Sequence, residues 1–181
     1  MTDVTTTVAG IQIPSSDPVF LSVVALHVPL GLICVVSGAL AMLSVKGPGR
    51  HPTAGTVYYW CSVALFGSAT VLSTMRWSDD YHLFILGALT FAAVQVGRMA
   101  RRRRWPGWVR MHIASMGSSY VLLLTAFYVD NGKQLPLWRD LPAWTYWTLP
   151  AVIGAPIMLW ALLWHPRVKA SGRDLRPAAQ G

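Results

Sequence analysis

Five histidines, His27, His51, His82, His112 and His165, are the side chains of this sequence best suited to chemistry in apolar surroundings. A neutral imidazole donates through one ring nitrogen and accepts, or ligates a metal, through the other. The rest of the titratable inventory is thin where it would matter. All seven acids are Asp, none is Glu, and none falls inside an apolar stretch, where Gln95 is the sole amide. A cation or proton pathway through lipid ordinarily shows buried Asp, Glu, Lys or Arg. An acid-based pump or antiporter is therefore disfavoured, and imidazole chemistry is left.

The elements that must hold these rings are apolar and long. Of 181 residues, 54% are hydrophobic and 12% charged, against about 25% charged in an ordinary soluble domain; mean hydropathy is +0.44. Crossing the hydrocarbon core takes about 20 apolar residues, and five stretches qualify: 19–45, 52–75, 81–97, 109–129 and 143–164. The expected fold is an all-α membrane protein, a bundle of five transmembrane helices. It is preceded by a polar segment, 1–18, and followed by a basic tail, 166–181. Segment 1–18 lacks a cationic region and does not read as a cleavable signal. Pro52 and Pro106 suit helix starts, and Pro29, Pro150 and Pro156 predict kinks. Cys34 and Cys61 cannot build a disulfide framework, and nothing resembles a phosphate-binding or dinucleotide loop.

The net charge of +8 is distributed as a topology signal. Lys46 and Arg50, then Arg98, Arg101, Arg102, Arg103, Arg104 and Arg110, then Arg167, Lys169, Arg173 and Arg176 hold twelve of the fifteen cations and fall in alternate breaks between the stretches. The positive-inside rule makes those breaks cytoplasmic, with the N-terminus outside and the C-terminus inside. Asp3, Asp17, Asp79, Asp80, Asp130 and Asp140 then lie outside. Eight of nine tryptophans lie near the end of a stretch, as an aromatic belt requires; Trp60 is the exception. Arg101–Arg104 and Arg110 read as a stop signal and a contact for lipid headgroups, not as a nucleic-acid surface.

With this orientation the histidines alternate. His27, about two turns into the first stretch, and His82 fall in the outer half; His51 and His112 fall in the inner half, with His165 also inner. Two imidazoles from opposite sides of a helix bundle are what a bis-histidine haem needs, so the pairs His27 with His82 and His51 with His112 are candidate ligands of two haems. Gly31, Cys34 and Gly38 follow His27 at helical spacing, Gly55 follows His51 by four residues, and Ser115, Met116 and Ser119 share the face of His112. Gly31, Gly38 and Gly55 would give a porphyrin a smooth face. Equally, small residues let membrane helices pack closely, His51 and His165 suit a wet interface, and His82 suits a cap. Tyr58, Tyr59 and Trp60 could meet a porphyrin edge or a quinone, or serve as ordinary core and interface aromatics. His27 and His82 with Asp79 or Asp80 form a thinner alternative, a zinc or copper site.

This placement over 19–129 resembles the cytochrome b561 type of transmembrane dihaem protein, whose four-helix core carries one haem near each face. The resemblance implies haem b and electron transfer across the bilayer; that family has six spans, whereas five stretches are found here. The segments GRHPTAGTVYYW and RMHIASM also resemble a family of small, functionally uncharacterised bacterial membrane proteins, with Ile113 where an Arg usually follows the histidine. That likeness implies a multi-pass protein of the bacterial inner (plasma) membrane and no particular activity. Three functions are therefore carried forward. The first is a b-type cytochrome, an electron-transfer subunit of a membrane oxidoreductase, served by a quinone or an anionic reductant. The second is a non-catalytic subunit without cofactor, packed in a larger membrane complex or a homodimer. The third is a small-solute transporter gated by histidine.

Overall fold

The computed structural model describes residues 6–8, 11–13, 15, 17–164 and 168. His165, Asp3 and the cations of the basic tail lie outside the described residues. Two short strands, β1 (Thr6–Val8) and β2 (Ile11–Ile13), pair antiparallel with Thr6 opposite Ile13 and Val8 opposite Ile11. From the sequence only a polar lead is expected here; five of the six strand residues, all but Gln12, are β-branched Thr, Val or Ile, which favour extended backbone.

Five helices follow, each long and apolar enough to cross a membrane, which is the make-up of a multi-pass membrane protein. They are α1 (Pro18–Leu43), α2 (Arg50–Met75), α3 (Trp77–Arg103), α4 (Trp108–Asn131) and α5 (Ala143–Trp164). A single 3₁₀ turn, Gly132–Gln134, extends α4. The backbone stays helical through Pro29 in α1 and through Pro150 and Pro156 in α5.

Local chemistry sets the ends. Asp17 caps α1 by accepting from the backbone N–H of Val19 at 2.7 Å and of Phe20 at 3.3 Å, with Pro18 in the first turn, where its missing donor costs nothing. At the other end Lys46 Nζ donates to the carbonyls of Ala41 (2.9 Å) and Ser44 (3.0 Å), filling acceptors that the helix leaves open. Partial burial there holds the Lys46 ammonium below the usual lysine value. Gly49, at φ 103°, occupies a backbone region closed to most side chains and turns the chain into α2. α3 runs beyond its apolar stretch at both ends. Asp79 and Asp80 sit in its first turn and Arg101, Arg102 and Arg103 in its last, each sign where the helix dipole favours it.

The chain divides into two compact units, residues 1–88 with 130–141 and residues 89–129 with 142–181. In the first, α1 and α2 form an antiparallel pair. Its buried residues are Phe20, Cys34, Ser37 and Gly38 on α1 and Tyr58, Ser62, Leu65, Ser68 and Ser73 on α2, and Phe66 meets Phe84 at 6.0 Å between ring centroids. In the second, Gly97 of α3 lies against Met116 and Ser115 of α4, and Gly154 of α5 against Val121.

Polarity is inverted relative to a water-soluble protein. Ser37, Ser62, Ser68, Ser73, Thr90, Ser119 and Thr125 are buried, while Leu32, Val152 and Leu163 are each more than 60% exposed. Lipid tails are as apolar as leucine, so outward leucine costs nothing and association rests on close packing and on hydrogen bonds. The buried hydroxyls satisfy themselves on the preceding turn: Ser62 donates to Tyr58 O at 2.7 Å, Ser119 to Met116 O at 2.8 Å and Thr125 to Val121 O at 2.9 Å. Among the described residues no buried side-chain nitrogen or oxygen lacks a partner.

Candidate functional site

Three of the four candidate ligand histidines share one feature: each is tied through Nδ1 to a group on a neighbouring helix. His27, half-buried on α1, lies 2.9 Å from Ser68 Oγ on α2. Ser68 has a single hydroxyl proton, which goes to Leu65 O at 2.9 Å. With the Ser68 proton on that carbonyl, the imidazole is the donor and carries its own proton on Nδ1; a hydroxyl turned to the ring would reverse the roles. His51 Nδ1 donates to Ala41 O of α1 at 2.8 Å, and His112 Nδ1 donates to Gly97 O of α3 at 2.9 Å. A carbonyl can only accept, so both rings carry the same tautomer. In its neutral form each of the three imidazoles then has its basic lone pair on Nε2.

His82 is placed differently. It is half-buried in the second turn of α3, its ring edge-on to Tyr81 with centroids 5.6 Å apart. Asp79, in the first turn, pairs with Arg76 at 2.9 Å. A contact this exposed is worth about 0–1 kcal/mol. His27, His82 and His51 belong to the first unit and His112 to the second.

The small residues around His27 face α2. Cys34 is fully buried, with its Sγ 3.7 Å from Ser62 Oγ, and a Cβ on Gly31 would meet Leu65 Cδ1 at 3.8 Å. Gly38 is buried as well. Gly55, below His51, is different: a Cβ there would meet nothing within 4 Å. Tyr58 is buried, Tyr59 half-buried and Trp60 exposed, with the last two rings edge to face at 5.1 Å. Cys34 and Cys61 are both free thiols. Arg101, Arg102, Arg103, Arg104 and Arg110 are exposed, and Arg104 stacks over the Trp108 ring at 4.7 Å.

Ser68, Ser62 and the carbonyls of Ala41 and Gly97 escaped the sequence reading. The two serines carried a usable signal: Tyr58, Ser62, Leu65 and Ser68 recur at helical spacing in an apolar stretch, where a hydroxyl must find a partner. The carbonyls carried none, since every residue has one.

Among the described residues no three of His, Cys, Asp and Glu come together in a way that could hold a metal ion. A zinc or copper site on His27, His82 and Asp79 or Asp80 would need such a group, since a metal held by protein side chains alone takes three or four of them. A porphyrin supplies four equatorial nitrogens itself and asks the protein for one or two axial ligands. The donor chemistry of the anchored imidazoles fits that requirement, since a metal-bound histidine usually donates its other ring N–H to a carbonyl, a carboxylate or water. Comparison with protein-family models, with curated proteins and with solved structures finds no match.

Proposed function

We propose that this chain is an integral-membrane b-type cytochrome, an electron carrier whose haem iron is held by neutral imidazoles. The observation that carries the reading is the shared Nδ1 anchorage of His27, His51 and His112, the ring-fixing hydrogen bond that metal-bound histidines usually make. His27 and His82, both in the first unit, are the proposed axial pair of one haem. His51 and His112 are ligand candidates, each in its own unit. Bound haem would supply one-electron redox chemistry on iron. The residues do the rest: Ser68, Ala41 O and Gly97 O fix ring tautomer and orientation, and the apolar helix faces keep the dielectric low. A quinone in the bilayer or an anionic reductant is the proposed electron partner, the latter drawn to the exposed arginines. The proposed setting is a bacterial inner membrane with the arginine-rich breaks on the cytoplasmic side.

The same hydrogen bonds favour a second reading. Each joins two helices, as histidine does in membrane proteins generally, and this alone would suit a non-catalytic subunit packed in a larger membrane complex. Haem content per chain separates the two. For wild-type protein purified in detergent, the cytochrome reading expects bound haem, with less in His27→Ala and in His82→Ala at unchanged helicity. Identical absence of haem in all three samples leaves the packing role.

A further inference from the structure

The second unit is one-sided in charge. Arg98, Arg101, Arg102, Arg103, Arg104 and Arg110 belong to it, while its described residues contain neither Asp nor Glu. Both ion pairs of the described residues, Arg76 with Asp79 and Arg139 with Asp140, lie in the first unit. At the same end of the second unit a shallow groove of about 490 Å³ runs between the first turns of α4 and the last turn of α5, lined by Arg110, Met111, Ala114, Leu162 and Leu163. One cation therefore stands on a groove whose remaining walls are apolar. Trp108 and Trp164 flank these segments in sequence, the residue type that collects at the boundary between headgroups and acyl chains. A purely aqueous anion gains nothing from the leucines and methionine, and a zwitterionic lipid offers Arg110 only a phosphate already balanced by its own ammonium, without the net charge that draws a cation. An amphiphile with an anionic head and an acyl tail uses both.

We propose that this groove is a binding site for one anionic phospholipid, with Arg110 on the phosphate and Met111, Ala114, Leu162 and Leu163 along an acyl chain. Arg101–Arg104 supplies the surrounding field, worth roughly 1 kcal/mol per cation near a membrane surface, and Arg110 makes the local contact. The site is independent of the haem reading and uses none of its residues.

The test is retention of lipid by the full-length protein. Purified chain is equilibrated in nanodiscs of equimolar phosphatidylglycerol and phosphatidylcholine and then extracted into detergent, and the lipid that stays bound is quantified by mass spectrometry. Wild type is expected to keep phosphatidylglycerol over phosphatidylcholine. Arg110→Gln should lower that preference about fivefold, the factor one such cation corresponds to. Ala114→Trp, which fills the groove and leaves every charge in place, should lower it comparably while keeping wild-type helicity by circular dichroism. No preference in wild type overturns the proposal. So does a preference unchanged in Arg110→Gln, which would assign it to the arginine cluster as a diffuse surface. A preference lost in Arg110→Gln and kept in a folded Ala114→Trp overturns the groove and leaves an anion contact open equally to an acidic protein.

Discussion

Replacing Ser68 by alanine removes the acceptor of the His27 Nδ1 proton and little else. The Leu65 carbonyl loses a hydroxyl donor but keeps its place in the α2 backbone ladder, so the cost falls on the imidazole. A buried donor left unmade costs about 1–3 kcal/mol. Interhelical hydrogen bonds in membrane proteins average about 0.6 kcal/mol and reach about 1.7, because the separated helices also find partners. The expected loss for Ser68→Ala is thus about 1–2 kcal/mol, and His27→Ala should cost at least as much, since it also empties space between α1 and α2. The informative quantity is the coupling in a double-mutant cycle, expected at about 0.6–1.7 kcal/mol. It is measured by detergent-denaturation equilibria in bicelles, with the imidazole tautomer followed by nitrogen-15 NMR. The wild-type ring should be protonated at Nδ1 and lose that preference in Ser68→Ala. A coupling within about 0.3 kcal/mol of zero, the level of independent sites, would refute the tie and the tautomer argument with it.

Three glycines give graded expectations. In Gly97→Ala the new methyl would meet Met116 Cγ and Sδ at 2.9 Å and Ser115 Cβ at 3.2 Å; the serine carbon cannot swing away, so α3 and α4 must separate slightly, at about 1–3 kcal/mol in the same denaturation assay. In Gly154→Ala the methyl collides with the β-branched Val121, whose χ1 is stiff, so the loss should be as large or larger and should be recovered by adding Val121→Ala. Gly55→Ala enters open space and gains up to about 1 kcal/mol of helix propensity, so a neutral or slightly positive change is expected; a large loss would mean that Gly55 packs against something outside the described residues.

Hydropathy made the five spanning elements legible, because a 20-residue apolar run admits one backbone solution in lipid. Their ends were less legible. The third stretch was read as 81–97, whereas α3 runs from Trp77 to Arg103: Asp79, Asp80 and the arginines are polar, yet a helix dipole welcomes acids at its start and cations at its end. Pro52 suits the first turn of the second helix and sits there, with Arg50 leading, whereas Pro106, which suits the same place in the fourth, lies two residues before α4 begins at Trp108. The histidines were legible as unusual groups at membrane depth. Their partners were not, since Ser68 lies 41 residues from His27, and Ala41 and Gly97 contribute only backbone oxygen. The run of Gly31, Cys34 and Gly38 read as a porphyrin face or as a packing seam. The structure sets Leu65 beside Gly31 and Ser62 beside Cys34, a distinction that depends on how α1 meets α2 and that no spacing within α1 encodes.

The central claim, that anchored imidazoles hold haem iron, is tested most directly by a dithionite-reduced minus air-oxidised visible spectrum of the wild-type protein, expressed with haem in supply and purified in mild detergent. The account predicts sharp b-type bands that diminish in His27→Ala. A colourless wild-type protein, correctly folded by circular dichroism and showing no difference bands, would contradict it.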